Sequence, residues 1–281
     1  MTPSSTPRSN SGNTINNTVR YFSGLIAHLA GLLLVGCAAT PDKIIHFIGL
    51  SDCDPAKTLL GQPQNLGPAS STHTLQCALT AARESIDPFV IGSSLGARLA
   101  LHLAERSPDE SDKEALANEG VTLAERALAQ GGNTDGAVHY YLAANLGLAI
   151  HDHPIQAADN LSRLEQELNT AMRLNPSVDE GGPLRLLGML YLKAPPWPTG
   201  IGDGDKALEY LKKATDDYPE HPLNHLFYGE ALWEVDEKLT PATNALAVGR
   251  DKLKRGPWGY NKAIWTKEFD EVEQEISVSN H

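Results

Sequence analysis

Basic residues are scarce in this chain. Its 281 residues include 23 lysines and arginines against 35 aspartates and glutamates, a formal charge of −12. That shortage excludes a nucleic-acid binder working through a broad basic surface, because phosphate contacts need clustered Lys and Arg. It argues equally against attachment to anionic lipid through basic patches. Aromatic residues are also few, at 6%, whereas alanine and leucine abound, a balance that favours helices over a β-sandwich. No convincing series of alternating strands is present. The length suits one or two domains and is ample for a substantial core.

What is present begins with an export signal. Residues 1–20 are rich in Ser, Thr, Asn and Pro, and Arg8 and Arg20 are their only charges. Tyr21 to Gly36 is an uncharged run of about 16 residues, short for a membrane span and right for a signal-peptide core. It ends in Leu34-Val35-Gly36-Cys37, which resembles the bacterial lipobox: the small residue fits the peptidase and the thiol accepts a diacylglycerol. We therefore expect a lipoprotein signal peptide over 1–36 and lipidation at Cys37, with an ordinary signal peptide or a membrane anchor as the alternative. Ala38, rather than Asp, follows the cysteine; by analogy with enterobacterial sorting this places the protein at the outer membrane, facing the periplasm. Removal of Arg8 and Arg20 with the signal takes the mature charge to about −14. In an oxidising compartment Cys53 and Cys77 are expected to pair, with two buried thiols as the alternative. The bridge would close about 25 residues, contribute on the order of 3 kcal/mol and pin the 54–70 stretch to the first helix of the body.

From about Thr72 onward the apolar spacing is helical. Leu99, Leu103 and Arg106 follow one stripe, and Leu161, Leu164, Leu168 and Ala171 another. A Leu-Gly or aromatic-Gly step recurs as Leu95-Gly96, Leu146-Gly147, Leu187-Gly188 and Tyr228-Gly229, the glycines being 51, 41 and 41 residues apart. A small residue there lets a neighbouring helix approach closely. A second helix with alternating small and large residues follows, best seen in Ala207, Leu211, Ala214 and Pro219. The pattern resembles the tetratricopeptide repeat (TPR), with units longer than usual, and implies helical hairpins stacked as a short α-solenoid. The expectation is an all-α chain: a lipid-anchored linker or N-terminal segment over 37–71 and a TPR-like helical domain over 72–281.

Several motifs bear on chemistry. Gly92-Ser93-Ser94-Leu95-Gly96 follows the apolar Phe89-Val90-Ile91 and precedes a helix, which is the local grammar of an α/β-hydrolase nucleophile elbow with Ser94 as nucleophile. That fold also needs a parallel sheet and a later acid and histidine, and after Arg106 the chain reads as helix upon helix. No enzyme is therefore expected, the serine hydrolase remaining the remote alternative. Histidines fall into two clusters, His139, His151 and His153, and His221 and His225. The last two share a helical spacing, but no His-Glu-x-x-His accompanies them and no cysteine assists, so no metal is expected. Nor is a cofactor.

The segment from Ala194 to Asp205 is the most unusual. Three prolines stiffen it, Trp197 is an exposed or docked anchor, and Asp203 or Asp205 would cap the next helix. Two carboxylates fall short of a calcium loop. This segment reads either as a rigid connector whose tryptophan plugs the core, or as a loop lining a ligand cavity or partner groove. An aromatic group of Phe227, Tyr228, Trp233, Trp258, Tyr260 and Trp265 divides in the same way between packing and binding.

An acylated N-terminus, a TPR-like body, the run Gly181-Gly182-Pro183-Leu184-Arg185-Leu186-Leu187-Gly188, then the proline-rich loop, Gly202-Asp203 and Lys206-Ala207-Leu208 together resemble the T component of TRAP transporters, the TatT-type lipoproteins. The likeness is best over about 181–235. It implies a periplasm-facing lipoprotein of stacked helical hairpins that forms homotrimers with an internal channel. It also implies partnership with a periplasmic substrate-binding protein in the uptake of hydrophobic or organic-acid ligands. On that basis Trp197, Pro198, Gly202, Asp203, Asp205, Tyr228 and Trp233 are the ligand- or partner-binding candidates. A TPR-type scaffold for a cell-envelope assembly, holding no small ligand, is the competing expectation.

Overall fold

The structure, a computed structural model, describes Cys53 and residues 60–279. The expected signal peptide over 1–36, the lipidation at Cys37 and most of the 37–71 segment lie outside the described residues. Among those described, eleven α-helices form and no strand does; Pro196 and Gly202 make an isolated bridge. In chain order the helices are α1 Thr72–Arg83, α2 Pro88–Ile91, α3 Leu95–Arg106, α4 Glu110–Ala129, α5 Gly136–Ala149 and α6 Pro154–Leu174. They continue with α7 Gly182–Lys193, α8 Gly204–Asp217, α9 Pro222–Asp236, α10 Leu239–Arg255 and α11 Asn261–Ser279. None is long and apolar enough to cross a membrane.

Local chemistry sets the boundaries. Ser71, Asp109, Asp135 and Asp203 each precede a helix and accept a hydrogen bond from a first-turn backbone N–H. Pro154 and Pro222 open α6 and α9, where a missing N–H leaves no helical bond unmade. Within the helices, the anticipated apolar stripes are the buried ones: Leu161, Leu164, Leu168 and Ala171 on α6, and Ala207, Leu211 and Ala214 on α8.

Helices adjacent in sequence pair as hairpins, α3 with α4, α5 with α6, α7 with α8 and α9 with α10. The first members, α3, α5, α7, α9 and finally α11, touch one another in succession. All four Leu-Gly or aromatic-Gly steps lie on this row of first members. Their packing role is explicit: a Cβ on Gly188 would lie 2.4 Å from Leu211 Cγ, and one on Gly229 would lie 2.9 Å from Leu246 Cγ. These two glycines thus each receive a leucine from the second helix of their own hairpin. Leu211 follows Gly188 by 23 residues and Leu246 follows Gly229 by 17. The longer interval accommodates the 194–203 connection.

The stack curls until its ends meet. Arg106, at the end of α3, donates to Asn261 Oδ1 at the start of α11 (3.1 Å), to Ser70 O (2.8 Å) and to Pro68 O (3.0 Å). Its guanidinium also lies 5.3 Å from the Tyr260 ring centroid, and Tyr260 N donates to Pro68 O at 3.0 Å. The turn Gly256–Tyr260 is therefore docked on the segment that leads into α1. Arg106 extends the α3 stripe to a contact 155 residues away.

Cys53 and Cys77 are bonded, with Cα atoms 5.4 Å apart and both side chains buried beside Ala81. The bridge ties Cys53 to α1. Reduction is expected to lower the stability of the folded chain by about 3 kcal/mol, from the loop it closes. Urea unfolding followed by circular dichroism, with and without dithiothreitol, checks this.

Candidate functional site

Inside the curl lies a cleft of about 160 Å³. Its walls are mostly apolar, built from Leu101 of α3, Ala143 of α5, Leu164 and Leu168 of α6, Leu190 of α7 and Trp265 of α11. The cleft is not sealed: Leu148, Leu186, Leu223 and Phe227 in its lining are only half buried. Helices from both ends of the chain contribute, so the cleft depends on the closure made by Arg106.

One end of the cleft is polar. Between α6 and α7, Asp179, Glu180 and Gly181 take consecutive left-handed conformations, with φ of 51°, 48° and 86°. Such backbone is strained for the two non-glycine residues and needs support from its surroundings. Asn224, wholly buried on α9, supplies it: its side-chain amide donates to Glu180 O at 3.0 Å and Tyr218 O at 2.9 Å, and its oxygen accepts from Arg185 Nη1 at 2.8 Å. Arg185, buried on α7, also pairs with the Asp179 carboxylate and donates to the Asp179 carbonyl. The turn so held presents Asp179 Oδ2 to the Tyr140 hydroxyl, which donates to it at 2.7 Å.

The electrostatics follow from this arrangement. Burial opposes charge on Asp179, but the adjacent Arg185 guanidinium, with His221 and the Tyr140 hydroxyl, holds its carboxyl below the usual carboxylate range. Burial and the Asp179 charge push the Tyr140 hydroxyl well above the ordinary phenol value. His221 packs between Trp258 and Trp265, with ring centroids 5.1 and 5.3 Å away. Burial, reinforced by Arg185, lowers its imidazole to about 3.

Also in the lining, Glu268 of α11 is the anomaly. It is 5% exposed, lines the cleft, and makes no hydrogen bond or ion pair among the described residues. Burial, and then Glu105, Glu271 and Glu230, raise its carboxyl well above the ordinary value, with Arg185 opposing.

These two groups give opposite pH signatures. His221 stays neutral in the folded chain while the unfolded chain takes up a proton below about 6.5. Stability therefore falls as pH drops from there toward 3, by about 1.4 kcal/mol per unit from this group. Glu268 keeps its proton in the folded chain while the unfolded chain loses it above about 4.5, so its contribution is lost as pH rises from that value. Glu268→Gln is accordingly expected to raise the melting temperature at pH 7 and to leave it nearly unchanged at pH 4. Calorimetry at both pH values checks this.

None of the seven binding candidates read from the sequence lines the cleft. Trp197 does not plug the core: it is 85% exposed, on a connection turned back on itself by bonds from Gly202 N to Pro195 O (2.8 Å) and from Asp203 N to Tyr191 O (2.9 Å). Pro198 and Asp205 are also exposed. Asp203 caps α8, accepting from Lys206 N at 3.1 Å. Tyr228 and Trp233 are half buried against the C-terminal core. Of the wider aromatic group, only Phe227 and Trp265 reach the cleft.

The other motifs resolve into structure. Phe89-Val90-Ile91 belongs to the single turn α2, not to a strand, so the elbow lacks the strand it requires. Ser94 stands at the start of α3, where its side chain makes no capping bond. His225 Nε2 donates to Pro219 O at 2.8 Å, and His139 bonds Glu167 at 2.6 Å. Among the described residues no group of three His, Cys, Asp or Glu is placed to hold a metal ion.

Sequence reasoning missed Arg185 and Glu268, although both carry a signal. Arg185 is the one charge between Gly182 and Leu192. Glu268 falls three residues after Trp265 and four before Val272, on the face that α11 buries.

Comparison with protein-family models and with curated proteins returns no match.

Proposed function

We propose that the chain is a lipid-anchored, periplasm-facing binding protein that holds a small, mainly apolar guest in the central cleft. In this reading it serves solute uptake as an accessory, in the manner of the TRAP transporter T component, with a periplasmic substrate-binding protein as its partner. The observation that carries the proposal is the cleft: about 160 Å³, walled by leucine, alanine and tryptophan from six helices. An apolar cavity of roughly 150 Å³ suffices to take up benzene. A pocket with apolar walls and a few convergent polar groups is the common form of a small-molecule site. The lipobox-like Leu34–Cys37 supports the anchor, and the Leu-Gly repeat supports the family likeness.

A scaffold with no small ligand is the second reading. It rests on Trp197, a large aromatic left 85% exposed on a short, internally bonded loop. Native mass spectrometry of the chain, purified gently and without reductant, separates the two. A retained small-molecule mass, or a trimer, supports the accessory reading. An empty monomer indifferent to candidate guests and to periplasmic binding proteins overturns it in favour of the scaffold.

A further inference from the structure

The polar end of the cleft carries a charge imbalance that bears on what kind of guest it accepts. Its cation is already committed. Arg185 is held by the Asp179 carboxylate, the Asp179 carbonyl and Asn224 Oδ1. Asp179 is in turn satisfied by Arg185 and by the Tyr140 hydroxyl. Glu105, also in the lining, lies near His102 on its own helix, 3.6 Å from ring nitrogen to carboxylate. Glu230 is paired with Lys193 at 2.8 Å. Glu268 alone among these acids has neither donor nor cation within bonding distance among the described residues, and it is 95% removed from solvent.

A buried carboxyl that touches no donor is costly. Buried polar groups find partners as a rule, and an exception calls for a cause. Here the residue lines a cleft large enough to contain the missing partner. The partner's chemistry follows from the imbalance. A guest carboxylate would enter among Glu105, Glu268 and Asp179 with no uncommitted cation to receive it. A guest ammonium would meet an unpaired acceptor at bonding range and an apolar wall for the rest of its surface. An ammonium would displace the proton that burial keeps on Glu268 in the empty cleft, and the resulting ammonium–carboxylate contact is a charge-assisted hydrogen bond, stronger than a neutral one.

We infer that Glu268 is the recognition group of the cleft and receives the ammonium of a small apolar amine whose hydrocarbon part lies against Leu101, Leu164, Leu190 and Trp265. This rests on the cleft being a binding site, as proposed above, and it adds the class of guest. It departs from the organic acids that the family likeness implied, because Arg185, the only cation in the lining among the described residues, is spent on Asp179 and Asn224.

Three guests with one ring and different heads make the test: benzylammonium, toluene and benzoate, titrated into the full chain and into Glu268→Gln. Binding is followed by the methyl resonances of Leu101, Leu164 and Leu190. The glutamine is isosteric and removes a buried acid, so the variant is expected to fold, which its circular dichroism verifies. Benzylammonium should bind the native chain more tightly than benzoate by roughly tenfold or more, and Glu268→Gln should weaken it by a similar factor while toluene binds both proteins alike. Equal benzylammonium affinity in the two proteins, or tighter binding of benzoate, would overturn the assignment of Glu268 while leaving the cleft as a site. If none of the three guests moves the leucine methyls, the cleft reading itself fails, and the assignment with it.

Discussion

Leu211→Ala is expected to destabilise the protein by about 4 kcal/mol, toward the upper end for a buried leucine. Leu211 is wholly buried, and its branch point sits directly over Gly188 of the partner helix. Truncation removes the transfer energy of the side chain and opens a void between α7 and α8 that two paired helices cannot readily collapse. The companion variant is as informative. In Gly188→Ala the added methyl would stand 2.4 Å from Leu211 Cγ, so the hairpin must spread or the leucine must leave its rotamer. Combined with Leu211→Ala, the same methyl enters vacated space. The double variant should therefore lose less stability than the two single variants summed. Urea denaturation of all four proteins measures this coupling; simple additivity would mean that the glycine is not there to admit the leucine.

Arg185→Met is expected to lose about 4 kcal/mol, because it strands a carboxylate, an amide oxygen and a strained carbonyl together. Asp179 would keep only the Tyr140 hydroxyl, Asn224 Oδ1 would lose its donor, and the left-handed turn at Asp179–Gly181 would lose the guanidinium that bridges it. Arg185→Lys should recover only part of the loss, since a single ammonium cannot span Asp179 and Asn224 as the planar fork does. Asp179→Asn added to Arg185→Met should relieve the variant by removing the stranded charge. Melting curves of the single and double variants check the ordering; a double variant no more stable than Arg185→Met alone would show that the buried charge is not the source of the loss.

These effects explain why parts of the molecule were legible and others were not. The hairpins were, because they arise from local physics: helical spacing, acidic or serine caps, and small residues where helices touch. Gly188 and Leu211 stand 23 residues apart in one hairpin, and both were visible as members of a repeat. The disulfide was legible because reading an export signal at the N-terminus gave two cysteines the expectation of an oxidising context. The cleft was not, because it is a property of the closure. Leu101 and Trp265 share it only because Arg106 reaches Asn261 across 155 residues, and no window of sequence contains that contact. The loop at Trp197 drew attention through its composition, yet prolines and glycines specify a tight connection as readily as a site. The serine motif shows the same ambiguity: its letters fit an elbow, the sequence kept it only as a remote alternative for want of a sheet, and α2 and α3 give it a helix on either side and no strand.

On the proposed reading, a small apolar amine occupies the cleft between α3, α6, α7 and α11. The most direct measurement is an isotope-filtered nuclear Overhauser spectrum of the methyl-labelled chain with benzylammonium bound. It should show contacts from the ring protons to the methyls of Leu101, Leu164 and Leu190. Contacts confined to residues near Trp197 or elsewhere on the surface would contradict the account.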